Sequence, residues 1–516
     1  MKRGARRRRR NRRNGQRSLR QHEPEVDHIS QLPIDIILKI FNLLPLESLL
    51  TMSTVSKQFK HLRTHVPFLD FDQEEMEEKI MRDNICPING EYHHGRLPIE
   101  CHPYCAEVAR TKFIRLVDEI LRLHTGNKMN SFSLCIGYYK YNWDVPMVNS
   151  WVSFALTGNT EEVELRFDRK CVLNYVTSNG LRVSKTNMVS LYTLPCQLSP
   201  SKVLATLTLH ACQFDASCLG TFESLRFLTL INVDLLDSRI EHWPPIFPML
   251  SELYMDSCVL EDKFFVTDKV IKIESIYLCN CMTNTWMTFP INIALPNLMN
   301  FEFCGTYLEA SSIREADKLT DVYIYIEYPT ADRLQGNFLI SLLLDLQSCQ
   351  CLELNSWCIQ VLASTQSSRW KYLVQLQSIT KLTLGVFMIK QELPGICFLL
   401  RMCPSLQTLT LDLQCEVDRE SEGFVPNAFE FQDDYWESQI MPFDCLRNSL
   451  KTINILGFTG QAMELHILKF LLQKAMVLET LHVRIDDPLR NTNTVRNLER
   501  ASPHVHVVIN CGELPI

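Results

Sequence analysis

The sequence predicts an α/β repeat fold: a short all-helical module, then a curved solenoid of stacked parallel strands, then a strand–helix–strand unit closing its end. Three observations predict it. A short apolar motif recurs at intervals of 21–30 residues between 204 and 413, the period of solenoid arrays. The stretch Leu32–Phe59 carries apolar residues at helical spacing, punctuated by Pro33 and Pro45. The chain has 516 residues, more than one ordinary core holds, so several domains or a repeat array are required.

The first 20 residues hold eleven Lys or Arg and no acid. Without them the chain has 41 basic and 59 acidic residues, a net charge of -18. Residues 1–26 cannot bury a core and are expected to be a disordered basic tail. Lys2, Arg3, Arg6, Arg7, Arg8, Arg9, Arg10, Arg12 and Arg13 read as a nuclear-import signal. A non-specific phosphate-binding arm and a tail with no dedicated role are the alternatives. No aromatic residue is interleaved in the tail, so it lacks the stacking platform of a single-strand binder, and no specific nucleic-acid partner is expected. The expected location is the nucleus, with the cytoplasm as a second site. Residues 14–31 stay polar, which argues against a secretory signal. No run of 18 uncharged apolar residues occurs, so no membrane association is expected. Many of the 20 cysteines, Cys212, Cys258 and Cys281 among them, sit inside apolar runs and read as reduced, buried thiols.

In the helical module Ser30 can cap a first turn, and Leu32-Pro33 leads into a helix that tolerates proline at its start. Ile36, Ile37, Ile40, Leu43 and Leu44 follow at helical spacing. Pro45 ends this helix and starts another, in which Glu47 suits the first turn and Leu46, Leu49, Leu50 and Met52 are apolar. Val55, Phe59 and Leu62 continue the pattern. Two or three short helices in about forty residues cannot hide this much apolar surface among themselves. The surplus is expected to dock on another protein.

These residues resemble an F-box, over residues 28–67: Leu-Pro, then Ile-x-x-x-Ile-Phe-x-x-Leu-Pro, then Leu-Leu, then Val-Ser-Lys-x-Phe. Phe59 stands where that family commonly has Trp. The resemblance implies docking on a Skp-type adaptor, and through it on a cullin. It carries the adaptor face onto Leu32, Pro33, Ile36, Ile37, Ile40, Leu43, Leu44, Pro45, Leu49, Val55 and Phe59.

Residues 70–125 read as a connection with helical character. Cys86, His93, His94, Cys101, His102 and Cys105 cluster there, but without a paired C-x2-C knuckle. No metal and no cofactor are expected.

Beyond this, segments such as 204–214, 225–235, 250–260 and 273–283 share L-x-x-L-x-L-x-x-(C/V)-x-apolar. The pattern runs on to 484, and 160–167 is an earlier copy. It is the signature of an irregular leucine-rich-repeat solenoid, placed at residues 126–430. Each unit supplies one short strand with alternate residues in the shared core. The Cys or Val slot lies where the chain leaves the strand, and a thiol there can fill the turn and make a weak hydrogen bond. The residue between the two central apolar positions then points outward. Tyr254, Tyr277, Glu302 and Tyr323 are the candidate contacts for a target protein, although tyrosine also simply suits strands.

Residues 412–440 form an acidic insertion expected to be a loop. Residues 434–510 resemble the FBD unit that follows the repeats in many plant F-box proteins. Its marks are Trp436-Glu437, Ser449-Leu450-Lys451, Gly457-Phe458-x-Gly460 and the amphipathic 463–475 before Leu478-Glu479-x-Leu481. A strand–helix–strand unit there is expected to cap the hydrophobic end of the array.

No phosphate-binding glycine loop, nucleophile elbow or H-E-x-x-H occurs, and no enzyme activity is expected. The resemblances together imply the substrate-recognition subunit of a Skp–cullin–F-box (SCF) ubiquitin ligase. Such a subunit binds the adaptor through the F-box and a target protein through the solenoid, and contributes proximity. The alternative is a non-proteolytic nuclear scaffold that uses the solenoid without a ligase.

Overall fold

Alternation dictates the architecture: in strand after strand the even steps are apolar and the odd steps polar, so one face must be buried. A computed structural model of the chain describes residues 31–41, 66–82, 103–124, 128–137, 144–167, 191–195, 200–216, 220–235, 243, 245–260, 264–266, 272–283, 290–306, 311–326, 333–364, 375–413, 435–436, 442–485 and 493–511. It divides into two compact units, Met1–Val66 and Pro67–Ile516.

In the first unit the described element is helix α1 (Ile34–Phe41). The Pro33 carbonyl accepts from the Ile36 and Ile37 amides at 3.0 and 3.1 Å, so the proline opens the helix as its fixed φ allows. Lys39 sits in the last turn, at the negative end of the helix dipole.

The second unit is built on one sheet of fifteen strands, each recorded pair parallel. In chain order these are β1 (Phe68–Asp72), β2 (Met129–Cys135), β3 (Thr160–Arg166), β4 (Thr206–His210) and β5 (Phe227–Ile231). Then come β6 (Glu252–Asp256), β7 (Ser275–Cys279), β8 (Asn300–Gly305), β9 (Asp321–Ile326) and β10 (Cys351–Leu354). The last five are β11 (Lys381–Gly385), β12 (Thr408–Asp412), β13 (Thr452–Leu456), β14 (Thr480–Ile485) and β15 (His506–Cys511). Sheet order equals chain order throughout, which is a solenoid. The register aligns the central apolar residues: Leu207 with Leu228, Leu228 with Leu253, Leu253 with Ile276, Ile276 with Phe301, Phe301 with Val322, and on to Leu481. All of these are buried.

The stretch 70–125 differs from the connection read in the sequence. It holds most of β1, α2 (Gln73–Arg82) and α3 (Pro103–Leu123), and the sheet therefore starts at Phe68, ahead of residue 126. β1 buries the usual pair, Leu69 and Phe71, but escapes the periodicity because helices follow it in place of the recurring turn. Asp72 caps α2: its Oδ1 accepts from the Glu74 amide at 2.8 Å. Helix α4 (Val145–Thr157) is tied to α3 by Trp151, whose Nε1 donates to Asp118 Oδ1 at 2.7 Å.

Behind β4–β7 the chain returns in extended pieces. Residues 192–193, 212–214, 234–235, 259–260 and 282–283 pair as a five-stranded sheet, and 264–266, 291–294 and 312–314 as a three-stranded one. At the exit of β4, β5, β6 and β7 stand Ala211, Asn232, Ser257 and Asn280, with φ of 53°, 55°, 53° and 51°. This left-handed residue turns the chain through the corner. Its amide donates to the next strand's last carbonyl or the one before it, at 3.0 Å (Ile231), 2.7 Å (Asp256), 2.8 Å (Cys279) and 2.7 Å (Cys304). The Cys/Val slot follows directly. Cys258 Sγ donates to the Leu230 carbonyl at 3.3 Å and Cys281 Sγ to the Cys279 carbonyl at 3.4 Å. The thiols fill the turn as their spacing predicts.

From β9 onward the return is helical: α5 (Arg333–Asp345), α6 (Ser356–Ser364), α7 (Leu393–Met402) and α8 (Ala462–Lys474). Two of these helices are entered through one device. A left-handed residue, Met388 (φ 57°) or Gly460 (φ 76°), stands four residues before a glutamate. Glu392 accepts from the Phe387 and Ile389 amides, each at 3.0 Å, and from the Ser356 hydroxyl. Glu464 accepts from the Thr459 and Gly460 amides at 2.8 and 2.7 Å. Each glutamate reaches back to satisfy amides that the helix start leaves open.

The expected strand–helix–strand unit is present as β13, α8 and β14, and it continues the same sheet. Trp436 is buried and stacks on Phe470 of α8 at 4.5 Å. Beyond it, β15 is the sheet's terminal strand, with Val507, Val508 and Ile509 half-buried.

Candidate functional site

Because successive side chains alternate, the polar residues of each strand align into three rows on the outer face of the large sheet. The central row runs Glu164, Thr208, Thr229, Tyr254, Tyr277, Glu302, Tyr323, Glu353, Thr383, with each residue in register with the next. All four candidate contacts read from the sequence therefore lie side by side. Each is half-buried, as befits groups packed on a sheet with their ends in solvent. The Tyr254 and Tyr277 rings lie 6.0 Å apart, tilted by 40°.

The row on the C-terminal side was missed in the sequence, although the same two-residue period selects it. It brings Asp256, Cys279, Cys304 and Tyr325 beside the first row. Tyr325 Oη donates to Glu353 Oε1 at 2.6 Å, which holds that carboxylate in place. Asp321 and Glu252 belong to the third row.

The electrostatics are one-sided. From β4 to β10 the three rows carry five carboxylates (Glu252, Asp256, Glu302, Asp321, Glu353) and no Lys or Arg. At β3 the situation differs: Arg166 lies 3.3 Å from Glu164. Neighbouring His210, pushed down to about 4 by burial and then by Arg166, is neutral. Among the described residues no cation pairs with Glu302 or Glu353. Partial burial, and then the charge of Glu353, push the Glu302 carboxyl up, and burial likewise raises Asp256. Burial raises Tyr254, Tyr323 and Tyr325 as well, and it pushes the Cys279 thiol up to about 12 ahead of Glu302 and Asp256. Phenols and thiol stay protonated at neutral pH. They offer hydrogen-bond donors and ring faces, not nucleophiles.

The first unit presents part of the apolar face read from the sequence. Ile36 is 40% exposed, Leu32 and Ile40 are half-buried, Pro33 is exposed and Ile37 is buried. Leu43, Leu44, Pro45, Leu49, Val55 and Phe59 lie outside the described residues, as do Lys2 through Arg13 of the basic tail. So do Cys86, His93, His94, Cys101 and His102 of the Cys/His cluster. Among the described residues no helix is long and apolar enough to cross a membrane.

Comparison with known proteins bears on both units. Residues 120–507 match the model of the At1g61320/AtMIF1 LRR domain, and residues 29–68 match that of the F-box domain. The first match spans most of the solenoid. The chain belongs to this family of leucine-rich-repeat proteins, with an F-box ahead of the repeats. Among its relatives in Arabidopsis thaliana is At3g29830, named as an F-box protein, 25% identical over 86% of this chain and 88% of its own length. Another is At5g54820, named as an F-box/LRR-repeat protein, 22% identical over 95% and 98%. A third, At4g03220, is named as an F-box/FBD/LRR-repeat protein and is 22% identical over 88% and 89%. None of these matches indicates a catalytic family.

Proposed function

We propose that this chain is the substrate-recognition subunit of a Skp–cullin–F-box ubiquitin ligase. The observation that carries the reading is the order of parts: an F-box at residues 29–68 followed by a long solenoid at 120–507. The F-box docks on a Skp-type adaptor, which brings a cullin, and the outer face of the solenoid holds a target protein. Ile36 and Ile40 lie four residues apart on one face of α1, the helical anchor spacing of a groove-bound helix. Residues 434–510 act as an FBD unit that extends the sheet. The arginine-rich tail directs the chain to the nucleus. The subunit has no chemistry of its own and works by raising the local concentration of its target.

Co-expression with a Skp-type adaptor, and purification through the adaptor's tag, tests the reading. The wild-type chain should be captured and an Ile36→Asp, Ile40→Asp variant should not. A wild-type chain that folds alone and ignores the adaptor overturns the ligase reading in favour of a scaffold.

A further inference from the structure

We infer that the outer face over β6–β10 is a docking surface for an extended, arginine-bearing segment of a protein partner. The inference rests on the reading that this face holds the target, and not on adaptor engagement. Three observations carry it. First, five carboxylates and no Lys or Arg occupy the three outward rows from β4 to β10, whereas at β3 an arginine of the chain itself neutralises the equivalent glutamate, Glu164. Second, the negative charge is interleaved with tyrosine. Tyr254, Tyr277 and Tyr323 share a row with Glu302 and Glu353. A guanidinium can therefore lie over a ring while its N–H groups reach a carboxylate, which a lysine ammonium does less well. Third, the carboxylates are held and uncompensated. Glu353 is fixed by Tyr325, and repulsion between Glu353 and Glu302 adds to the burial that raises the latter. An incoming cation relieves that repulsion, so charge complementarity favours a basic occupant over an acidic or purely apolar one.

The spacing sets the form of the segment. Glu302 and Glu353 are two strands apart, about 9.6 Å at the usual strand separation. An extended polyproline-type segment repeats every third residue, about 9.3 Å. Arginines at every third position therefore meet both carboxylates in turn.

The test uses the full chain, purified through its own tag, and a labelled peptide of four Gly-Arg-Ser repeats, read by fluorescence anisotropy, beside a peptide with Gln for Arg. The arginine peptide should bind and the Gln peptide should not. Glu302→Gln with Glu353→Gln should weaken binding about tenfold or more, and Tyr277→Leu about threefold. A control that removes two exposed carboxylates outside the rows, Glu223→Gln with Glu479→Gln, should keep wild-type affinity. Equal losses in the paired variants would reduce the effect to bulk charge and overturn the inference, as would equal binding of the two peptides. If the double variant melts early, the single Glu302→Gln replaces it. Adaptor capture is scored separately. Lost capture with peptide selectivity intact breaks the ligase reading alone, and intact capture without selectivity breaks this one alone.

Discussion

Between β4 and β9 the chain returns behind the sheet in extended pieces, and from β9 to β12 it returns as helices. The front is the same in both regions: one inward pair of apolar residues per strand, in register throughout. The repeat length differs. From Leu207 to Val322 the central residues are 21, 25, 23, 25 and 21 apart, and from Val322 to Leu409 they are 30, 30 and 27 apart. A helix advances about 1.5 Å per residue and a strand about 3.3 Å. Covering about 18 Å of return path takes about twelve helical residues but only five or six extended ones. The extra residues of the long repeats are the helix. The corner chemistry changes with the back. Extended repeats use a left-handed residue followed by Cys or Val. The repeats entering α7 and α8 use a left-handed residue followed by a glutamate that collects amides.

Substitutions at four positions would break or sharpen this contrast. The largest effect is expected at Gly395 in α7. A Cβ there would collide with the Ile359 carbonyl oxygen and lie 2.8 Å from Ile359 Cγ2 of α6. Gly395→Ala should therefore destabilise the chain by about 3 kcal/mol in a urea melt, against the gain of up to about 1 kcal/mol that helix propensity alone predicts. An unchanged midpoint would show that the two helices do not need this close approach.

Glu392 comes next. Its folded pKa is raised to about 7 by burial, against the lowering effect of its hydrogen bonds. For an acid raised on folding, the native state holds the extra proton. The associated stability is complete below the ordinary carboxylate pKa of 4.5 and lost as pH rises through about 7. The helix-backed region should thus loosen between pH 5 and pH 8, by up to about 2 kcal/mol. Amide exchange should show this in α6 and α7 and not behind β5–β7. Glu392→Gln should flatten the profile, and a pH slope that survives it would place the titration elsewhere.

A smaller loss is expected at a corner of the extended region. Ser257, at φ 53°, tolerates its conformation poorly already, and the β-branched Ser257→Val should cost about 1–2 kcal/mol. Ser257→Gly should be neutral or slightly stabilising. The reverse order of melting temperatures would mean that the side chain matters more than φ.

The smallest effect is expected at Cys258. Its thiol bonds the Leu230 carbonyl, but Val233 fills the same slot one repeat earlier. Cys258→Val should cost under about 1 kcal/mol, and resistance to oxidation should be unaltered because the thiol is fully buried.

Much of this was legible in the chain. Strand alternation has a period of two and the repeat recurs at a nearly regular spacing. Both are local properties, so every strand from β3 to β14 and the outward placing of Tyr254, Tyr277, Glu302 and Tyr323 follow from reading residues in order. The thiols of Cys258 and Cys281 were legible for the same reason, since their slot has a fixed offset from the strand. What the tertiary structure decided depends on partners distant in sequence. β1 becomes a strand because β2, 57 residues further along the chain from its end, supplies its hydrogen bonds. Glu392 becomes a capping residue because Ser356 and Phe387 converge on it from separate elements. Tyr325 becomes a clamp on Glu353 because register sets one strand beside the next. A periodic pattern states which face is buried, whereas only packing states which buried or half-buried groups meet, because those meetings are fixed by the closure of one turn of the solenoid on the next.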